Sequence, residues 1–132
     1  MLYSFEVMTR SRNSLIDITE KVNKVVKDSG VKSGVCVVFI PHTTAGITIN
    51  ENADPSVKGD IERTLSKIVP PNWEYTHLEG NSDSHVKSTL VSPSITLIIE
   101  NGKILLGTWQ GIYFCEFDGP RRRKVFLKII TD

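Results

Sequence analysis

Three histidines stand in small polar clusters of this chain: Pro41-His42-Thr43-Thr44-Ala45-Gly46, Tyr75-Thr76-His77-Leu78-Glu79-Gly80-Asn81 and Asn81-Ser82-Asp83-Ser84-His85. Imidazole is the side chain that, near neutral pH and without a large perturbation, donates a proton, accepts one or ligates a metal. Taken singly, each fits a structural role, His42 as a strand-end residue bonded to its threonine neighbours and the other two as loop residues. Taken together, with Glu51 and Asp54 close in sequence to the first, they are expected to form one site.

Between His77 and His85 lie Glu79, Asn81 and Asp83. Imidazole with carboxylate suits zinc or another borderline divalent ion, whereas magnesium bound with phosphate takes carboxylates and waters. The spacing matches no compact zinc motif, such as two histidines four apart on a helix, so a divalent metal ion on His42, His77 and His85 must be assembled in three dimensions. From His42 to Asp60 the chain gathers Thr43, Thr44, Asn50, Glu51, Asn52 and Asp54 around a bend at Gly46, then opens a helix. Amide donors at that helix start suit an anion, although Asp54 before Pro55 suits the cap position itself.

Gly107-Thr108-Trp109-Gln110-Gly111 separates two strand-like runs. Trp109 suits stacking on a flat ring or covering the core, and Gln110 suits hydrogen bonding to a heterocycle or a solvated strand start. Arg121-Arg122-Arg123-Lys124 is the only cationic run. It reads mainly as a solvated turn beside Asp118, with one guanidinium fork, Arg121, suited to phosphate. In a strand, alternation sends Arg121 and Arg123 one way and Arg122 the other.

These groups need elements to hold them. Tyr3, Phe5 and Val7 alternate as in a half-buried strand. Thr19 to Gly30 reads as an amphipathic helix with Thr19 as cap, Val22, Val25 and Val26 on one stripe, and Gly30 as terminator. Val35 to Ile40 is an unbroken apolar run, consistent with a strand covered on both faces and ended by Pro41, which brings His42 to a strand exit. Asp54-Pro55 starts a second helix with Val57, Ile61, Leu65 and Ile68 as its buried stripe, stopped by Pro70-Pro71. The polar stretch from Pro70 to Ser84 reads as a long loop of the kind that carries function. Asn101-Gly102 marks a hairpin between Ile95–Glu100 and Lys103–Leu106, and Ile112–Phe117 and Val125–Ile130 read as further strands. The expectation is one α+β domain over residues 1–132, with a largely antiparallel sheet and two main amphipathic helices.

A chain of 132 residues suffices for one core without disulfides. Lys plus Arg number 16 against 15 Asp plus Glu, so no overall field recruits nucleic acid or an anionic membrane, and a nucleic-acid role would need a local patch. Cys36 and Cys115 lie in apolar runs and read as buried packing. No apolar run has the length of a membrane span and no signal-like segment opens the chain, so a soluble, cytoplasmic protein is expected.

The stretches His42-Thr43-Thr44-Ala45-Gly46-Ile47-Thr48-Ile49-Asn50-Glu51-Asn52-Ala53-Asp54-Pro55, Tyr75-Thr76-His77, His85-Val86-Lys87-Ser88 and Leu106-Gly107-Thr108-Trp109-Gln110-Gly111-Ile112-Tyr113 resemble the YjbQ-like family, and the resemblance runs nearly end to end. It implies a compact α+β domain that assembles as a homotrimer. It also implies the thiamine-phosphate synthase activity proposed for some members, in which a hydroxymethylpyrimidine diphosphate joins a thiazole phosphate and pyrophosphate leaves. On that reading His42, His77 and His85 contact a metal or the leaving group with Glu51 nearby, and Trp109 and Gln110 contact the rings. Thr43, Thr44, Asn50, Asp54, Asn81 and Arg121 complete the substrate contacts. Many relatives approach the last histidine through Asp-Asp-Met-Pro-Ala-His. This chain has the shorter Asn81-Ser82-Asp83-Ser84-His85, so acidic residues there are not carried over. The alternative is a homotrimeric module that binds a metal or a phosphorylated metabolite without turnover.

Overall fold

Two antiparallel sheets face each other in the computed structural model, which describes residues 1–132. In chain order the elements are β1 (Leu2–Met8), β2 (Ser14–Asp17), α1 (Thr19–Ser29), β3 (Gly34–Phe39), β4 (Ala45–Glu51), α2 (Pro55–Ile68), α3 (Ser82–Val91), β5 (Ser94–Glu100), β6 (Lys103–Ile104), β7 (Gln110–Glu116) and β8 (Arg122–Thr131). The larger sheet has the order β1-β8-β3-β5-β6 and the smaller β2-β7-β4. All pairings are antiparallel, as the short turns between late strands imply. The α+β expectation holds.

Period-two alternation makes the core. Val7, Cys36, Val38, Leu97, Ile99, Val125, Leu127 and Ile129 project from the larger sheet onto Ala45, Ile47, Ile112 and Phe114 of the smaller, and Val22 and Val26 of α1 join them. β7 is buried on both faces: Tyr113 and Cys115 turn away from this core and pack with Leu15, Phe117 and the half-buried Ile61 and Leu65 of α2. Both cysteines are buried free thiols, with burial pushing Cys36 up to about 11 and Cys115 up to about 12, so they serve packing.

Several local expectations are corrected. Ile18, not Thr19, caps α1, and Thr19 Oγ1 instead accepts the Ile112 N–H at 2.9 Å. β3 is covered on one face only, because Val35 and Val37 on its other face are half-buried and Phe39 is exposed. On α2, Ile68 is exposed and no residue of the helix is fully buried. Asp54 caps α2 as expected, accepting from Ser56 N–H at 2.9 Å. The hairpin forms at Asn101-Gly102, both in the left-handed region at φ 55° and 75°, as a type I′ turn requires. No helix is long and apolar enough to cross a membrane.

The largest correction is a third helix. Residues Ser82–Val91 form α3, so the loop ends at Asn81 and His85 stands on a helix. The buried stripe of α3 is Asp83, Ser84, Lys87 and Ser88, which has helical spacing but is polar. Gly46 is not a bend either. It lies within β4, where an added Cβ would stand 2.7 Å from the Ser92 carbonyl oxygen and 3.3 Å from Val91. Its missing side chain lets the end of α3 settle on β4, tied by Ser88 Oγ to the Ala45 carbonyl (2.8 Å) and Ile47 N–H to the Ser92 carbonyl (3.0 Å). That docking sets where His85 stands.

Candidate functional site

β3 ends at Phe39 and the chain turns through Pro41 to place His42 at the mouth of a cavity of about 450 Å³. The cavity is lined by His42, Thr43, Thr44, His77, Glu79, Asn81, His85, Asp118, Arg121 and Arg123 with Pro41, and all of it comes from one chain. The three histidines therefore converge without a partner subunit. His77 from the loop and His85 from α3 meet edge to face, ring centroids 5.5 Å apart at 87°.

His42 is held by the backbone. The Lys124 N–H donates to its Nε2 at 2.9 Å, which places any ring proton of the neutral form on Nδ1. Burial lowers its pKa below 6.5, and the Arg123 charge adds to this against the Glu116 carboxylate. Neutral His42 thus offers its Nδ1–H as a donor rather than a charge.

Behind it, Arg123 and Glu116 join the two sheets at the edge of the core. Glu116 is fully buried and Arg123 nearly so. Arg123 Nε donates to Glu116 Oε1 at 2.8 Å, and its Nη2 donates to Glu116 Oε2 and, at 2.9 Å, to Thr44 Oγ1. Thr9 Oγ1 and the Asp118 N–H also donate to the carboxylate, at 2.7 and 2.9 Å. Arg123 Nη1 makes no hydrogen bond within the protein, is not sealed from solvent, and belongs to a side chain that lines the cavity. On the rim Arg121 Nη2 pairs with Asp118 Oδ2 at 3.0 Å, and the same oxygen accepts from Asn81 Nδ2 at 2.8 Å. Alternation divides the basic run as strand geometry requires: Arg121 and Arg123 face the cavity while Arg122 pairs with Glu6 on the other side.

Of the residues singled out in the sequence, His42, Thr43, Thr44, His77, Asn81, His85 and Arg121 share this cavity. Asn50, Glu51, Asp54, Trp109 and Gln110 do not line it. They sit at the other end of the β4–β7 ladder, where Glu51 pairs with Gln110 while Ala45 pairs with Glu116 at the cavity end. From Ala45 to Glu51 the strand covers roughly 20 Å at about 3.3 Å per residue. At that far end polar groups are used locally: Asn50 Oδ1 accepts Glu51 N–H, Glu51 Oε2 accepts Ala53 N–H, and Gln110 Oε1 accepts Gly107 N–H. Trp109 is 62% exposed. Hydrogen bonds from Ser56 hold the Asp54 carboxyl below its ordinary range, consistent with its cap role.

The side chains do not fit a resident divalent ion within one chain. No group of three His, Cys, Asp or Glu residues is placed to hold one, His42 Nε2 is engaged by the backbone, and two guanidinium groups share the cavity. Arg123, Asp118 and Glu79 line the cavity without having been singled out as site residues. Arg123 was legible, because the buried alternation of Val125, Leu127 and Ile129 extends inward to position 123. Asp118 looked like a turn residue, and it is one.

The whole chain can be placed among known proteins. It is 59% identical to the UPF0047 protein MJ1081 of Methanocaldococcus jannaschii over 132 residues, covering 100% of this chain and 96% of that protein. It is 49% identical to the UPF0047 protein YugU of Bacillus subtilis, covering 98% and 99%. A crystal structure of a YjbQ/UPF0047-family protein from Clostridium acetobutylicum matches with a TM-score of 0.95 at 58% identity over 97% of this chain and 99% of that one. The hypothetical protein APE1520 of Aeropyrum pernix matches with a TM-score of 0.95 at 34% identity over 100% and 99%. The family model described as "UPF0047 protein YjbQ-like" matches residues 3–132, and the chain belongs to that family.

Proposed function

We propose that the three-histidine cavity receives the phosphate end of a phosphorylated small molecule and serves group transfer from a diphosphate. The observation that carries this reading is Arg123: a nearly buried guanidinium, fixed by Glu116 and Thr44, whose Nη1 has no partner within the protein and whose side chain lines the same cavity as His77 and His85. A preorganised guanidinium suits phosphate oxygens, and its orientation is fixed before the ligand arrives. The reaction that the family resemblance implies, transfer of a hydroxymethylpyrimidine group from its diphosphate to a thiazole phosphate, makes use of such a wall. The carbon–oxygen bond to the diphosphate breaks with its electron pair on the leaving oxygen, and the thiazole nitrogen lone pair forms the new carbon–nitrogen bond. Arg121 and Arg123 stabilise the departing charge, and His77 or His85, when protonated, donates to the leaving oxygen. Neutral His42, its Nε2 taken by the Lys124 N–H, orients the bound group as an Nδ1–H donor.

The heterocycle contacts assigned to Trp109 and Gln110 then come from another copy of the chain, as in the homotrimer that the resemblance implies. The exposed outer face of the larger sheet supports self-association, since Leu2, Phe39, Ile98 and Ile130 on it are 44–64% exposed. The test uses purified protein with the pyrimidine diphosphate and thiazole phosphate, product being read by mass spectrometry. Product formation that drops in H77A and H85A supports the transferase reading; saturable binding without product leaves a binding module in its place. Sedimentation of a monomer that retains activity rules out the shared site.

A further inference from the structure

A concavity of about 710 Å³ lies away from the histidines, and Lys24, Lys27, Lys32 and Lys103 line it together with Asn23 and Asn101. The two cavities sit at opposite ends of β3, which leaves Lys32 and leads toward Pro41. Three separate elements supply the lysines. Lys24 and Lys27 share a face of α1 at i,i+3 spacing, Lys32 follows the Gly30 terminator, and Lys103 opens β6.

The walls are tied together. Gly102 N–H donates to the Lys32 carbonyl at 3.0 Å, and Ile104 N–H donates to Asn23 Oδ1 at 3.2 Å, so the hairpin is fastened to α1. Lys24 pairs with Asp28 at 2.7 Å, and Glu20 is the one carboxylate on the wall. Glu100 stands opposite Lys103 across the hairpin without an ion pair. Lys27, Lys32 and Lys103 are thus exposed ammonium groups free of carboxylate partners. Lys27 complements the C-terminal end of the α1 dipole. That account does not extend to Lys32 or Lys103, and in a chain of net charge +1 the concentration is not a share of a general excess. Val31 is the only apolar residue on the wall, so the groove has no aromatic ring for a base to stack on and no apolar wedge for a bilayer.

We propose that this groove is a second anion site, which takes a free polyphosphorylated small molecule through its phosphate groups. Lysines act there as point charges on several phosphates, with the Asn side-chain amides as supplementary donors.

Calorimetric titration with sodium tripolyphosphate tests this, using R121Q, which weakens the histidine cavity, with and without K32Q/K103Q, each verified as folded by circular dichroism. The expected result is saturable binding to R121Q that weakens with added salt and falls about tenfold or more when K32Q/K103Q is added. Absence of saturable binding to R121Q, which would assign any wild-type binding to the histidine cavity, or binding unchanged by K32Q/K103Q in that background, overturns the proposal. Phosphatidylserine vesicles and a single-stranded RNA form separate arms. Association of either one with the lysines in the absence of tripolyphosphate binding also overturns it.

Discussion

Lys124 donates its main-chain N–H to Nε2 of His42 across 2.9 Å, a bond that ties the exit of β3 to the start of β8. It fixes the ring, while burial and the Arg123 charge favour the uncharged imidazole. A proton titration of the three imidazoles by NMR is expected to give His42 a midpoint below the ordinary 6.5. Because the folded value is depressed, the contribution to stability is present above the unfolded value and is lost as pH falls through the folded one. A midpoint at or above 6.5 would contradict the placement.

Glu116 follows the same arithmetic at lower pH. Burial alone would raise its pKa, but the hydrogen bonds from Arg123, the Asp118 N–H and Thr9 outweigh it and hold the carboxyl below 4.5. Stability from this group is present above the unfolded carboxylate range and lost as pH falls through the depressed folded value. R123M leaves the carboxylate buried without its main partner and is expected to cost about 3–5 kcal/mol in denaturant melts. A loss within experimental error of zero would show that the two sheets are not joined here.

Gly46 makes the case for close approach. G46A drives a Cβ into the Ser92 carbonyl and Val91, and should cost about 1–3 kcal/mol through forced shifts. Since α3 carries His85, the substitution should also move the His85 imidazole resonances more than those of His42. An unperturbed His85 in a destabilised variant would separate the docking of α3 from the site.

Lys87 is 1% exposed and donates to Asn13 Oδ1 at 3.0 Å and Ser66 Oγ at 2.9 Å. Burial lowers its pKa, with Asp83 opposing. K87M keeps the length but removes the donors, and is expected to destabilise by about 1–3 kcal/mol in thermal or urea melts. The same change at exposed Lys103 should fall within about 0.5 kcal/mol of wild type.

These residues also show what sequence can reveal. Strands announced themselves through Tyr3-Phe5-Val7 and the Asn101-Gly102 turn, because alternation and left-handed backbone are local demands. α3 stayed hidden because Asp83, Ser84, Lys87 and Ser88 form a stripe with helical spacing made of polar groups, which pattern reading takes for a loop. The convergence of His42, His77 and His85 is expected from their polar clusters and the family resemblance, yet that resemblance also draws Glu51, Trp109 and Gln110 into the same site. Strand length separates them, since a β4–β7 pair paired end to end holds its termini roughly 20 Å apart. Arg123 shows the converse: a charge read as solvated is buried because Glu116, a carboxylate within an apolar strand, compensates it.

The most direct test is calorimetric titration of inorganic pyrophosphate into K32Q/K103Q, which weakens the lysine groove, alone and combined with R121Q or with H77Q/H85Q. The account predicts saturable binding to K32Q/K103Q at the histidine cavity, weakened about tenfold or more in both combined variants. Pyrophosphate that fails to bind K32Q/K103Q, or binds the combined variants as tightly as K32Q/K103Q, would contradict the assignment of this cavity to a phosphorylated ligand.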